Sequence, residues 1–321
     1  MVSHGMPGEV LIISDAASES AMQLFLDSGI GGPQAGLKPL EPRFRCAYLK
    51  AGDAKGDALG ASLVLLVKKS GVVDNALNEL WESAAERAEN KGNLLLAEDV
   101  WAKGQFVVLA EAGDKEQIRR LAAKDGPLAT LLAEAEQRNG LIGGLQPNAY
   151  SDSVMQRVAG DFGVTFPLPP QFRLVQANKE MLWFLWEGRE FRANLWVNIV
   201  SDTIHAHSTE AMMQIRDSFA RRYIKGQQGM PMMTSKSSEY ETFDAKTPQG
   251  VQAWRGWWTI SGQWQRGPYC RYFFPDSAGQ RGIWLEGFLE APEIPNLPYY
   301  RMFDLIAAGF KFTSGNNGLL P

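Results

Sequence analysis

The stretch from Trp254 to Phe274 limits the fold more than any other part of the chain. It reads Trp-Arg-Gly-Trp-Trp-Thr-Ile-Ser-Gly-Gln-Trp-Gln-Arg-Gly-Pro-Tyr-Cys-Arg-Tyr-Phe-Phe. Aromatic side chains at this density suit a pleated surface packed on at least one face. Val251–Ile260 and Tyr269–Phe274 are therefore predicted as two strands. Ser261-Gly262 falls at the turn, where glycine tolerates positive φ. Pro275-Asp276 stops the second strand. Eight of the ten tryptophans lie between Trp183 and Trp284, so the second half of the chain should hold the heavier aromatic core.

A chain of 321 residues has room for two domains. A net charge of −4 supplies no basic field for nucleic acid. The interleaving of Arg255, Arg266 and Arg271 with aromatics imitates a single-strand binding surface, but an acidic chain lacks the supporting electrostatics. The two cysteines, Cys46 and Cys270, exclude a cysteine-only metal site and a disulfide scaffold. They are expected to be buried free thiols. No run reaches the ~18 apolar residues of a membrane span. Met1–Gly8 has neither the charged nor the apolar region of a signal peptide.

The overall pattern predicts an α+β protein of two domains. Residues 8–140 read as a small α/β sandwich. Its strands are expected at 9–13, 43–48, 62–67 and 106–110, the third uniformly apolar and so central. Its first helix follows Ser14 or Asp15 and shows Met22, Phe25 and Leu26 on one face. A second helix is expected over Asp74–Lys91. A third follows Asp114, with Gln117 reaching back to the cap amide, and a fourth spans Leu128–Arg138. Residues 141–152, rich in Gly, Asn, Pro and Ser, read as a linker.

Residues 153–312 read as an antiparallel sheet packed with helices. Strands are expected at 173–177, 181–187 and 193–201, then a helix over 209–224 capped by Ser208. Its buried stripe is expected to be Met212, Ile215, Phe219 and Tyr223. A short strand at 232–235, a polar loop at 236–250, the aromatic hairpin and a strand at 281–291 follow. Asn296 should cap a last helix that Gly309 ends. Short links between successive strands favour antiparallel pairing against two helices. Residues 313–321 read as a tail.

Several constellations carry possible chemistry. His205-Ala-His207 would put two imidazoles on one side of a strand, able to reach one metal, with Asp202 or Glu210 adding a carboxylate. The competing account is a polar strand-to-helix connection. Arg216, on a helix, either anchors an anion or ties the helix to neighbouring strands. Trp254, Arg255, Trp264, Arg266 and Arg271 could form a stacked recognition surface for a glycan, a polar ligand or a protein. They could equally be solvent-side residues of two strands. Glu286, if buried, needs a partner such as Arg281. Gly29–Gln34 and Gly52–Gly56 fail the dinucleotide and P-loop patterns, and no nucleophile elbow occurs. No cofactor is expected.

Gly8-Glu-Val-Leu-Ile-Ile-Ser, Glu41-Pro-Arg-Phe44 and Trp101-Ala-Lys-Gly-Gln105 share an order with motifs further on. These are Arg216-Asp-Ser218, Tyr223-Ile-Lys-Gly226, Met232-Met-Thr234, Arg255-Gly-Trp257, Gly267-Pro268, Leu285-Glu-Gly-Phe288 and Ala291-Pro292. Together, over residues 8–310, they resemble domain-of-unknown-function family 4837, whose members are typically lipoproteins of the Bacteroidota cell envelope. The second half is also similar to PsbP-like sandwiches. The resemblance implies a non-enzymatic envelope protein at the outer membrane. It would bind an envelope protein partner or support an assembly, held by a lipid anchor upstream of this segment. It transfers no catalytic residue. Two other readings stay open: a metal-dependent hydrolase near His205 and His207, and a carrier of a small ligand or glycan.

Overall fold

A computed structural model describes residues 1–5, 8–15, 19–38, 40–123, 126–139, 152–200, 208–224, 229–234, 241–247, 251–260, 265–276, 281–290 and 294–313. The expected linker lies almost wholly outside these residues, as do the tail beyond 313 and the His205-Ala-His207 segment. The chain forms two compact units. One comprises Met1–Gln34 and Leu40–Ile142, the other Ala35–Pro39 and Gly143–Pro321.

The first unit is built from β1 (Glu9–Ser14), α1 (Glu19–Ser28), β2 (Arg45–Lys50), β3 (Leu63–Lys69), α2 (Asn75–Ala85), β4 (Ala88–Lys91), β5 (Leu94–Glu98), β6 (Phe106–Ala112), α3 (Lys115–Ala122) and α4 (Pro127–Asn139). The sheet order is β2-β1-β3-β6-β5-β4. The first four strands run parallel, and β5 and β4 add antiparallel at the edge. Alternate strand residues feed two cores. Val10, Ile12, Leu65 and Val108 pack with Leu26, Ile118 and Leu132 on one face. Ile13, Val64, Leu66 and Val107 pack with Leu77 and Ala84 on the other. Helices thus cover both faces, which is why β3, expected to be central, is uniformly apolar. Of the expected α1 stripe, only Leu26 has a described side chain, and it is buried.

Two expectations for this unit need correction. The helix predicted over Asp74–Lys91 ends at Ala85, and Ala88–Lys91 turns back as β4 against β5. Gly92, at φ +77°, makes that reversal possible, and Leu94–Glu98 gains a full ladder with β6 in exchange for another helical turn. At α3, the Asp114 carboxylate accepts from Gln117 N at 2.8 Å as expected. Gln117 Oε1, however, accepts from Gly113 N, one residue before the cap.

The second unit contains α5 (Asp152–Phe162), β7 (Val164–Thr165), β8 (Arg173–Ala177), β9 (Met181–Glu187), β10 (Arg192–Val200), α6 (Thr209–Tyr223), β11 (Met232–Thr234), β12 (Phe243–Lys246), β13 (Gln252–Ile260), β14 (Arg266–Pro275), β15 (Gly282–Glu290), α7 (Leu297–Ala308) and β16 (Lys311–Phe312). The large sheet is antiparallel throughout, in the order β11-β13-β14-β15-β10-β9-β8, with β12 also on β13. The region expected to be a polar loop thus contributes a strand, β12, which pairs Phe243–Lys246 with Gln252–Arg255. β7 and β16 form a separate two-stranded ladder.

The sheet has two buried faces. Met212 and Ala220 of α6 cover Trp196, Trp254, Tyr269, Trp284 and Phe288. On the other face α7 presents Phe303 to Gly287 and Asp304 to Arg255 and Tyr272. This agrees with an antiparallel sheet packed with helices. Two local details differ. Ser208 caps α6 by accepting from Ala211 N at 3.1 Å, but Asn296 makes no side-chain cap on α7 and sits in αR geometry. The fully buried line of α6 is Met212, Arg216 and Ala220, at i, i+4 and i+8, while Ile215, Phe219 and Tyr223 are half-buried. A reading of apolar spacing places arginine outside, whereas the structure turns Arg216 to the sheet, where an acid awaits it.

Candidate functional site

Strand register sets the site. Across β13, β14, β15 and β10, Trp254 stands opposite Arg271, Arg271 opposite Glu286, and Glu286 opposite Trp196. The neighbouring row on the same face runs Phe273, Trp284, Asn198. Because side chains alternate along a strand, these residues project together toward α6. The aromatic hairpin therefore delivers its polar residues to the interior.

Glu286 holds two arginines. Arg216 Nε donates to its Oε1 at 2.9 Å, and Arg271 Nη1 to its Oε2 at 3.2 Å. All three side chains are fully buried. Arg216 lies over the Tyr269 ring, 4.2 Å from its centroid, and Arg271 over Trp284 at 4.4 Å. Arg216 Nη1 reaches Thr234 Oγ1 at 3.4 Å and Asp217 at 3.6 Å. Asp217 itself accepts from Thr234 N and Oγ1, both at 2.7 Å, fixing β11 to α6. Tyr269 hydroxyl and Thr242 Oγ1 bond at 2.8 Å. Burial pushes Arg271 down to about 10 against the pull of Glu286, so it stays cationic at neutral pH.

On the opposite face Arg255 Nη2 donates to both Asp304 oxygens, at 2.9 and 2.7 Å, and Tyr272 hydroxyl donates to Oδ1 at 2.7 Å. Cys270, beside them, is buried, and burial raises its thiol to about 12. Cys46 in the first unit is raised to about 12 as well, by burial and then by Asp27.

The α6 face also carries polar atoms with no hydrogen-bond partner. They are Trp196 Nε1, Trp254 Nε1, Trp284 Nε1, Arg216 Nη2, Arg271 Nε and Nη2, and both amide atoms of Asn198. An unsatisfied buried polar atom costs about 1–3 kcal/mol. Eight of them would cost about as much as the whole 5–15 kcal/mol by which a domain is stable. Each of these groups needs a partner that the described side chains of this face do not supply.

Of the candidates read from the sequence, Arg216, Trp254 and Arg271 meet on this face, and Arg255 lies on the other. Arg266 is exposed on β14. None of Trp254, Arg255 and Arg271 is a solvent-side residue, so the stacked surface expected of them is an interior instead. Trp264, His205 and His207 lie outside the described residues. Among the described residues no group of three or more metal-ligating side chains converges. Glu286 pairs with Arg216 and Arg271, while Arg281 pairs with Asp276 at 2.9 Å. Sequence reasoning overlooked Asn198, Trp196, Trp284 and Asp304. Trp196 and Asn198 share the i, i+2 spacing of residues on one strand face, as Trp284 does with Glu286, but only pairing shows which face is filled by α6.

The family model described as a domain of unknown function, DUF4837, matches residues 151–307. This part of the chain is a DUF4837 domain. Every residue of the two ion-pair clusters lies inside it. The expected motifs before residue 151 fall outside the match. No curated protein sequence matches the chain. Among solved structures, the Ran-binding protein Mog1p of Saccharomyces cerevisiae is similar at 9% identity, over 47% of this chain and 90% of that one, with a TM-score of 0.34. LpqN of Mycobacterium tuberculosis, described as involved in cell envelope biogenesis, is similar at 12% identity, over 52% of this chain and 99% of that one, with a TM-score of 0.28. Likenesses this distant transfer no function to the DUF4837 domain. No described helix is long and apolar enough to cross a membrane.

Proposed function

We propose that the protein is a non-enzymatic component of the cell envelope, lipid-anchored in full-length form, that binds a partner protein or supports an envelope assembly. The envelope placement rests on membership of residues 151–307 in DUF4837 and on what that family's resemblance implies. Action by binding rests on one observation: the charged side chains best suited to chemistry are spent on structure. Glu286 is held by two arginines and Asp304 by Arg255 and Tyr272. Cys270 would need a thiolate to act as a nucleophile, and burial holds its thiol at about 12. The described groups left over on the α6 face are hydrogen-bond donors and one amide oxygen rather than acids, bases or nucleophiles.

The test is cross-linking of the full-length protein in its native envelope, followed by mass spectrometry of what is attached. The expected result is one envelope protein recovered in near-equal amount. Metal analysis of untagged protein is run beside it. About one tightly held zinc per chain, lost in a His205→Ala/His207→Ala variant, would replace this reading with the metal-dependent hydrolase, since a catalytic zinc needs three protein ligands.

A further inference from the structure

We propose that the α6 face of the DUF4837 sheet holds an interior site for a small organic carboxylate with an apolar body, gripped side-on by Arg271. The decisive feature is which atoms of Arg271 are spoken for. Its Nη1 is bonded to Glu286, while Nε and Nη2 are unpartnered. Nε–H and Nη2–H lie on the same edge of a guanidinium. They form the two-pronged fork whose spacing matches the two oxygens of a carboxylate. Here that fork belongs to a side chain with no solvent exposure.

The surroundings fit the same ligand. Trp254 is the cross-strand neighbour of Arg271, and Trp284 lies beneath its guanidinium. Their rings are 5.2 Å apart, and each carries an unpartnered indole N–H. Of the eight unpartnered atoms that the described residues bring to this face, seven are donors and one, the amide oxygen of Asn198, is an acceptor. A saccharide brings donors and acceptors in similar number and would leave its hydroxyl protons unmatched. A carboxylate brings acceptors alone. Among the described residues of this face the fully buried charges are Arg216, Arg271 and Glu286, two positive and one negative. Asp217 stands at the margin, its side chain 12% exposed and its Oδ1 occupied by Thr234. One added negative charge balances the buried set. Indole rings and Met212 are the apolar side chains of the same cluster that the rest of the molecule would meet.

This site is independent of the partner reading, and its failure would leave a cross-linked envelope partner untouched. The probe is benzoate, with benzamide as a neutral molecule of the same shape. Binding is measured by calorimetry and by the thermal midpoint of the whole chain. Benzoate is expected to bind at millimolar concentration or tighter and benzamide at least about tenfold more weakly, as loss of a charged hydrogen bond implies. Arg271→Lys keeps the charge and removes the fork, and should weaken benzoate several-fold and narrow the difference. Should that variant fail to fold by circular dichroism, Trp254→Phe decides. It keeps an aromatic ring, removes the N–H and should weaken benzoate several-fold. Trp257→Phe, on the opposite face of the same strand, should change nothing. The site is overturned if folded protein does not respond to millimolar benzoate, if benzamide binds equally well, or if Trp254→Phe binds as the natural chain does.

Discussion

Arg216, in the middle of α6, donates to Glu286, in the middle of β15, across 2.9 Å and 70 residues of sequence. Neither side chain has any solvent exposure. The pair fastens helix to sheet where the chain otherwise offers aromatic and sulfur-containing side chains. Breaking one side of a buried pair costs about 3–5 kcal/mol, because the abandoned charge stays inside. Glu286→Gln abandons two guanidiniums and is expected to lower the urea midpoint by that order. A midpoint within error of the natural chain would mean that water reaches the arginines.

Arg255 and Asp304 invite a different test. A buried ion pair replaced as a whole by apolar residues of similar volume is often neutral or stabilising. Arg255→Met and Asp304→Leu should each destabilise, and the double variant should recover much of the loss. Tyr272, which also donates to Asp304, will limit the recovery. Strict additivity in the double-mutant cycle would show that the two side chains do not act as a pair.

Gly287 sits where a Cβ would meet the ring of Phe303 well inside van der Waals contact. Gly287→Ala is expected to push α7 off the sheet at a cost of about 1–3 kcal/mol. The companion change Phe303→Leu should relieve part of it. If Gly287→Ala alone is neutral by thermal melting, α7 does not pack as closely as Phe303 indicates.

Trp257 is 7% exposed and donates its indole N–H to Gly36 O at 2.7 Å. Truncation to alanine removes a large buried ring, for about 3–5 kcal/mol. Trp257→Phe should cost much less. An unchanged denaturation midpoint in Trp257→Ala would move this residue from the core to the surface.

Alkaline pH should weaken the fold. The Cys270 thiol is raised by burial from 9.0 to about 12. The folded state therefore holds a proton that the unfolded chain releases. The stabilisation is complete below pH 9.0 and is lost as pH rises toward 12. Tyr269, Tyr272 and Tyr300 are also raised by burial and act in the same direction. Urea midpoints should fall steadily above pH 9, and less steeply in Cys270→Ala. Equal slopes in the two proteins would remove Cys270 from the account.

Much of the second unit was legible residue by residue. The aromatic strands, the strand at Met181–Glu187 and the Ser208 cap all announce themselves through period and cap chemistry, which act over a few neighbours. The short strands Ala88–Lys91 and Phe243–Lys246 did not, because four residues of mixed polarity acquire strand character only from the neighbour they pair with. The candidate site was half visible. Arg216, Trp254 and Arg271 stood out as residue types, but their spacing said nothing about burial, and Arg281 was the nearer partner for Glu286 in sequence.

Local sequence chemistry thus determined where most of the longer strands and helices of this protein lie, that the second half carries an antiparallel aromatic sheet, and where α6 begins. Only the tertiary structure decided that Glu286 meets Arg216 and Arg271, that Arg255 faces Asp304, and that one edge of Arg271 is left over among indoles. The reason is physical. Strand period and capping depend on residues within one turn or one pleat. The partner of a buried charge depends on the register of four strands and the rotation of a helix, which no short window contains.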